Sequence, residues 1–228
     1  MKEYILLTGA SYGIGYEMAN QLAAKKFNLI LVVPTESELQ QMQAELTANY
    51  GIEVKYFAAD LSDVNAAIDL HKAVQQENPI ITHLVNHAGI GNSGLFTETS
   101  LEEDLSMIQL NVSSLVVLTQ LFAKDMVRRN AGRIMNVGSV LSFLPLPYSA
   151  VYSATKAFVL AFSDSLAAEL EGTGISVTFF SLGTTDTDFT TNATQSDLHK
   201  TKPMHPKEVA TLGVKHLLEG EGKKGVGF

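Results

Sequence analysis

Tyr152 and Lys156 stand four residues apart in Tyr152-Ser153-Ala154-Thr155-Lys156, at the start of a helix-like run. Side chains at that spacing share one helical face. A free phenol ionises near about pH 10 and is a poor acid or base at neutrality. A nearby ammonium favours the phenolate and lowers that value. The pair thus supplies a proton-transfer group with a built-in activator. Such a pair is common by chance, so its neighbours matter. Ser139 ends a short apolar run thirteen residues earlier, where its hydroxyl could steady a developing alkoxide or merely serve a turn, as Ser142 could. Asn111 interrupts a long helical stretch, where asparagine has poor propensity. It marks either a purpose or a solvent-facing side chain.

A second group of residues could hold an anion. Thr8-Gly9-Ala10-Ser11-Tyr12-Gly13-Ile14-Gly15 joins a first apolar run to a first amphipathic one. Glycines allow a sharp turn and close backbone approach to a pyrophosphate, and a helix start offers free N–H groups. The spacing is G-x-x-x-G-x-G, not the common dinucleotide fingerprint. Asp60, in Ala59-Asp60-Leu61, could accept from an adenine amino group or simply cap the turn before Ser62. Asn86-His87-Ala88-Gly89 ends another apolar run at a glycine turn. No second His or carboxylate stands near His87 at ligand spacing, so it is read as a packing residue and no metal is expected.

These groups need elements to carry them. Strands are expected at Tyr4 to Thr8, Asn28 to Val33, Glu53 to Ala58, His83 to Asn86, Arg133 to Val137 and Ile175 to Ser181. Helices are expected at Gly13 to Lys26, Glu36 to Tyr50, Ser62 to Glu77, Leu101 to Arg129, Val151 to Leu170 and Pro206 to Glu219. Alternation of this kind gives an α/β, doubly wound parallel sheet (Rossmann-like), and no linker or repeat divides residues 1–228, so one domain is expected. Ligands bind such sheets at the carboxyl ends of the strands. Apart from Asn111, the chemistry-bearing residues fall at those ends or at the helix starts beside them. Gly183 to Pro203 is polar and aperiodic, and is read as a functional loop or lid.

Bulk properties narrow the partners. A net charge of −8, from 24 acidic and 16 basic residues, argues against nucleic acid. The absence of cysteine excludes disulfides and thiolate chemistry. No apolar run reaches membrane-spanning length and the N-terminus lacks signal-peptide features, so a soluble cytoplasmic protein is expected, with no membrane partner.

Taken together, from about residue 3 to residue 219, the chain resembles the short-chain dehydrogenase/reductase family. Thr8 to Gly15 is similar to its glycine motif, Asp60 to its adenine-contacting acid, and Asn86-His87-Ala88-Gly89 to its Asn-Asn-Ala-Gly. Asn111, Ser139, Tyr152 and Lys156 match its catalytic tetrad in order and spacing. The resemblance implies an oxidoreductase that moves hydride between NAD(P)(H) and a carbonyl/alcohol pair. Tyr152 would exchange the proton and Ser139 would hold the oxygen. Lys156 would lower the tyrosine pKa and bind the nicotinamide ribose, and Asn111 would hold a water in a relay. The implied cofactor contacts are Gly9, Ser11, Tyr12, Gly13, Ile14, Gly15, Asp60, Leu61, Asn86, Ala88, Gly89, Tyr152, Lys156, Gly183 and Thr187.

Three departures qualify the match. After the second strand come Val33, Pro34 and Thr35. They offer no acid to repel a 2′-phosphate and no arginine to bind one, and the missing acid favours NADP(H). Leu182-Gly183 replaces the family's Pro-Gly, loosening a fixed turn. The chain ends at Phe228, and Gly225 to Phe228 is expected to start a seventh, truncated strand. The stretch Ser139 to Tyr148 is mostly apolar and suits a neutral, hydrophobic ketone or aldehyde. A sugar-nucleotide epimerase and a non-catalytic NAD(P)-binding redox sensor are the rival readings. The family also implies a homodimer or homotetramer through the apolar helices around Asn111 and Tyr152.

Overall fold

The structure, a computed structural model, describes residues 1–186, 203–220 and the backbone of 223–225. Its strands are β1 (Glu3–Thr8), β2 (Leu29–Val33), β3 (Val54–Ala58), β4 (Ile80–Asn86), β5 (Gly132–Ser139), β6 (Ile175–Leu182) and β7 (Lys223–Gly225). They form one sheet in the order β3-β2-β1-β4-β5-β6-β7, with every pairing parallel. The chain winds outward from β1 to β3, then crosses back to place β4 on the other side of β1. The crevice of a doubly wound sheet opens at that reversal.

The helices are α1 (Gly13–Ala24), α2 (Glu36–Tyr50), α3 (Ala66–Gln76), α4 (Leu101–Ile108), α5 (Leu115–Arg129), α6 (Ala150–Glu169) and α7 (Pro206–Glu219). Alternate residues of each strand feed opposite faces of the sheet. Ile5, Leu7 and Leu31 pack with Met18, Leu22 and Val214 of α1 and α7. Leu6, Ile30 and Ile134 pack on the other face with Leu70, Phe122 and Met126 of α3 and α5. Both faces of β1 and β2 are therefore buried, which explains their almost unbroken apolar sequence. Burial on both sides holds the strand ends that carry the site.

Four expectations change. β4 begins at Ile80, three residues earlier than expected. α3 begins at Ala66 rather than Ser62, because Asp60 accepts from the Ser62 N–H and Asp63 from the Asn65 N–H, making turns instead of helix. The long helix is interrupted by a π-helical turn (Gln109–Ser114) between α4 and α5. Finally, Leu101–Arg129, 29 residues in all, is long and apolar enough by composition to span a membrane, contrary to expectation. In the fold it lies partly against the sheet, and Asp104 and Asp125 within it are buried and hydrogen-bonded. The seventh strand is present as β7, paired with β6, while residues 226–228 lie outside the described residues.

Candidate active site

The floor of the crevice is the β1–α1 turn. Gly9 has φ +73°, a conformation natural to glycine alone, and a Cβ there would stand 2.8 Å from the Ala88 Cα. A Cβ on Gly15 would stand 2.0 Å from the Gly9 carbonyl oxygen. These two positions press the turn against the end of β4. Thr8 completes the joint: its Oγ accepts from the N–H groups of His87 (3.1 Å) and Ala88 (3.0 Å). Tyr12 precedes α1 without a side-chain cap, so the first-turn N–H groups are left to a ligand or solvent. Gly9, Ser11, Tyr12, Gly13 and Ile14 all line the cleft. Gly15 lies beneath them as the residue that lets the turn close.

From the β4 end, His87, Ala88 and Gly89 also line the cleft. The His87 Nδ1 lies 3.0 Å from the Gly9 carbonyl oxygen, and burial lowers its pKa to about 4, so the ring is neutral and donates that bond. Asn86 does not join the lining. It is buried, with its Nδ2 donating to Thr119 Oγ1 and Asn136 Oδ1, both at 2.9 Å, and it ties β4 to α5 and β5.

The opposite wall is built by β5 and α6. Ser139 ends β5 and caps a 3-10 turn (Val140–Ser142), its Oγ accepting from the Leu141 N–H at 3.2 Å. The Ser142 hydroxyl accepts in return from the Ser139 N–H at 3.3 Å. The Ser139 side chain also hydrogen-bonds the Tyr152 phenol. Lys156 is buried, and its Nζ donates to the Val137 carbonyl at 3.2 Å while standing 5.7 Å from the centre of the Tyr152 ring. Ser139, Tyr152 and Lys156 face the same cleft as the glycine turn.

The electrostatics differ from expectation. Burial pushes the Tyr152 phenol up to about 12, opposed only by its bond to Ser139. Burial likewise lowers the Lys156 ammonium to about 8. The expected lowering of the phenol by Lys156 is not seen: the ammonium stands 5.7 Å from the ring centre, and desolvation of the phenol dominates.

Asn111 sits in the π turn, behind Gly89. Its Oδ1 accepts from the Ile90 N–H (3.0 Å), and its Nδ2 donates to the Ile90 carbonyl (2.8 Å) and to Thr155 Oγ1 (3.2 Å). The side chain thereby clamps the β4 loop to α6, and its amide has no proton left over for a relay water. A Cβ on Gly89 would stand 3.0 Å from the Asn111 Oδ1 and 3.4 Å from the Lys156 Nζ, so a glycine is needed there.

Asp60 and Leu61 stand apart from the cleft lining. Asp60 is exposed and spends one carboxylate oxygen on the Ser62 N–H (3.0 Å) and hydroxyl (2.6 Å). Leu61 is buried in the core, and its carbonyl accepts from Ser114. Gly183 lines the cleft, whereas Thr187 and most of the expected lid lie outside the described residues. The two ends of that stretch meet at a bridge between Thr185 and Met204. Sequence reasoning missed Asn92 and Ser149, which also line the cleft. Ser149 could have been found from its place three residues before Tyr152.

A glycine-floored crevice at the reversal of a doubly wound sheet, walled by Ser139, Tyr152 and Lys156, defines a dinucleotide-type Rossmann protein. The comparisons make this specific. Residues 3–198 match the family model described as short chain dehydrogenase. A very-long-chain 3-oxoacyl-CoA reductase of Pyrenophora tritici-repentis is 35% identical over 232 residues, covering 99% of this chain and 66% of that protein. One of the same name from Phaeosphaeria nodorum is 38% identical over 183 residues, covering 76% of this chain and 52% of that protein. Among solved structures, a short-chain dehydrogenase from Sphingobium yanoikuyae in complex with NADPH has a TM-score of 0.88 at 29% identity, covering 99% and 87% of the two chains. An alcohol dehydrogenase from Thermococcus sibiricus complexed with 5-hydroxy-NADP has a TM-score of 0.86 at 25% identity, covering 99% and 96%. The chain belongs to the short-chain dehydrogenase family. It spans about half to two thirds of the length of the curated relatives it matches.

Proposed function

We propose that the protein interconverts a carbonyl and an alcohol with NADP(H), acting on a neutral, hydrophobic ketone or aldehyde. One observation carries the reading: Ser139, Tyr152 and Lys156 share a cleft with a glycine turn whose backbone leaves no room for side chains at Gly9 and Gly15. Such a turn, beside the uncapped start of α1, suits a pyrophosphate. The nicotinamide, when bound, supplies the hydride chemistry. The chain's residues do the rest. In reduction Ser139 holds the carbonyl oxygen, and Tyr152 gives it the phenolic proton. Lys156 keeps a positive charge beside the resulting phenolate.

The lean to NADP(H) is supported by the end of β2, where Pro34 and Thr35 are exposed and carry no charge, and by solved relatives complexed with NADPH or an NADP derivative. The apolar substrate is supported by Val140 and Leu141 on the cleft wall and by exposed Phe143 and Leu144 beyond it. The names of the curated reductases point the same way, to a ketone on an acyl chain. Exposed Leu105, Ile108 and Phe158 on α4 and α6 support self-association, which light scattering at micromolar concentration tests. For the activity, the purified chain is titrated with NADPH and NADH by nicotinamide fluorescence, then offered a carbonyl panel. Tighter NADPH binding and turnover are expected. Binding without any turnover returns the reading to a redox sensor.

A further inference from the structure

Ser149 is a polar group of the cleft with no role so far. It is the N-cap of α6, where a serine ordinarily turns its hydroxyl onto an N–H of the first helical turn. Here the backbone lies at φ −135°, ψ 36°, and the side chain makes no capping bond. The residue is 8% exposed, and it lines the cleft together with Ser139 and Tyr152. No hydrogen bond engages its hydroxyl among the described residues, which leaves it free to meet a ligand in the cleft. Its neighbours on the wall are engaged: Asn92 donates to Asp104 at 3.2 Å, and Thr185 donates to the Gly183 carbonyl at 3.1 Å.

We infer that Ser149 is a specificity residue that hydrogen-bonds a second oxygen of the substrate, two carbons from the carbonyl that Ser139 and Tyr152 hold. Ser149 and Tyr152 are three residues apart, so their side chains leave the helix start about 5–6 Å apart at Cβ. Two donors so placed hold two oxygens a few ångströms apart, which is the separation within a 1,3-dicarbonyl unit such as a 3-oxo ester or thioester. Among the described residues of the cleft lining the only cation is Lys156, which is committed beside Tyr152. That lining suits a neutral carbonyl as the second oxygen better than a carboxylate. A site that makes such a bond disfavours substrates lacking the partner atom.

The inference rests on the carbonyl–alcohol reading above, and one experiment separates the two. Wild type, Ser149→Ala and Ser149→Thr are assayed with NADPH on ethyl 3-oxobutanoate and on 2-hexanone, a monoketone of similar size. Binding of ethyl 3-hydroxybutanoate is followed by saturation-transfer NMR. In Ser149→Ala the ratio of kcat/KM for the ester to that for the ketone falls about fivefold, and ester binding weakens alongside. Ser149→Thr restores the ratio, and the Tm of Ser149→Ala stays within about a degree of wild type, since no cap is lost. An unchanged ratio in Ser149→Ala overturns the inference alone. So does a fall in Tm with equal losses on both substrates, which marks a structural cap. Turnover of neither ketone by wild type overturns the carbonyl reading and the inference with it.

Discussion

Replacing Lys156 with methionine removes the activity and makes the folded chain more stable at neutral pH. Lys156 is 6% exposed, and desolvation moves its pKa from 10.5 to about 8. At about 1.4 kcal/mol per pH unit, holding that ammonium inside the fold costs about 3 kcal/mol wherever it is protonated. Methionine has similar length and no charge, so it escapes the cost. It also forfeits the bond to the Val137 carbonyl, worth about 1 kcal/mol. The net expectation at pH 7 is a gain of about 2 kcal/mol, or roughly 4–8 °C in Tm for a chain this size. The gain has a window, and its sign reverses at the top of it, where the lost hydrogen bond outweighs the vanishing charge cost. Between about pH 8 and 10.5 the unfolded wild type holds a proton that the folded state has released, so wild-type stability rises with pH there. The advantage of Lys156→Met is full below about pH 8 and is gone by about pH 10.5. Urea unfolding of both proteins, without cofactor, at pH 7 and pH 10 measures it. A variant less stable than wild type at pH 7, or a difference equal at both pH values, refutes the argument.

Tyr152→Phe removes the proton donor while keeping the ring, so kcat falls by about a thousandfold. The NADPH dissociation constant from fluorescence stays within about threefold; comparable turnover would remove Tyr152 from the chemistry. Gly15→Ala places a Cβ 2.0 Å from the Gly9 carbonyl oxygen. The backbone of the turn has to move, so stability falls by about 2 kcal/mol or more and NADPH affinity by at least tenfold, both read by titration. A variant that binds normally would mean the turn does not hold the dinucleotide. Reductive kcat/KM falls as pH rises above about 8, because the free site then loses the Lys156 proton while Tyr152, near 12, keeps its own. A profile flat to pH 10 contradicts this.

The fold was legible because β1 and β2 and most of β5 and β6 are buried on both faces, so the alternation of apolar runs carried the element order. Boundaries failed where local hydrogen bonds competed with the helix, as at Asp60 and Asp63 before α3. The wall residues Ser139, Tyr152 and Lys156 were legible because each lies at a strand end or helix start whose direction the sheet dictates. Asn111 was legible as an anomaly but not as a clamp: the π turn brings its amide onto Ile90, and no periodicity in the sequence signals the extra residue in that turn. The setting of Asn86 was not legible, because a strand residue's direction depends on register. Here register turns it into the network of Thr119 and Asn136. The membrane-spanning composition of Leu101–Arg129 escaped notice because short apolar runs were weighed singly, not across the helix that joins them.

The electrostatics of the wall were the least legible part, and they alter the role of Lys156. Charge proximity alone predicts a lysine that depresses the tyrosine pKa. Burial instead pushes both groups toward their neutral forms, the phenol up to about 12 and the ammonium down to about 8. The order of the two values then matters more than either one. Lys156 is the stronger acid, so a phenolate left on Tyr152 after it protonates a substrate is recharged downhill from Lys156. The Nζ stands 5.7 Å from the ring centre, on the same cleft wall as the phenol that it would recharge. A surface lysine, with its ordinary pKa near about 10.4, would have less drive to give up its proton. The desolvation that destabilises the fold by about 3 kcal/mol at neutral pH is therefore the same feature that makes Lys156 a usable proton source. That is why its removal is expected to raise stability and abolish turnover together.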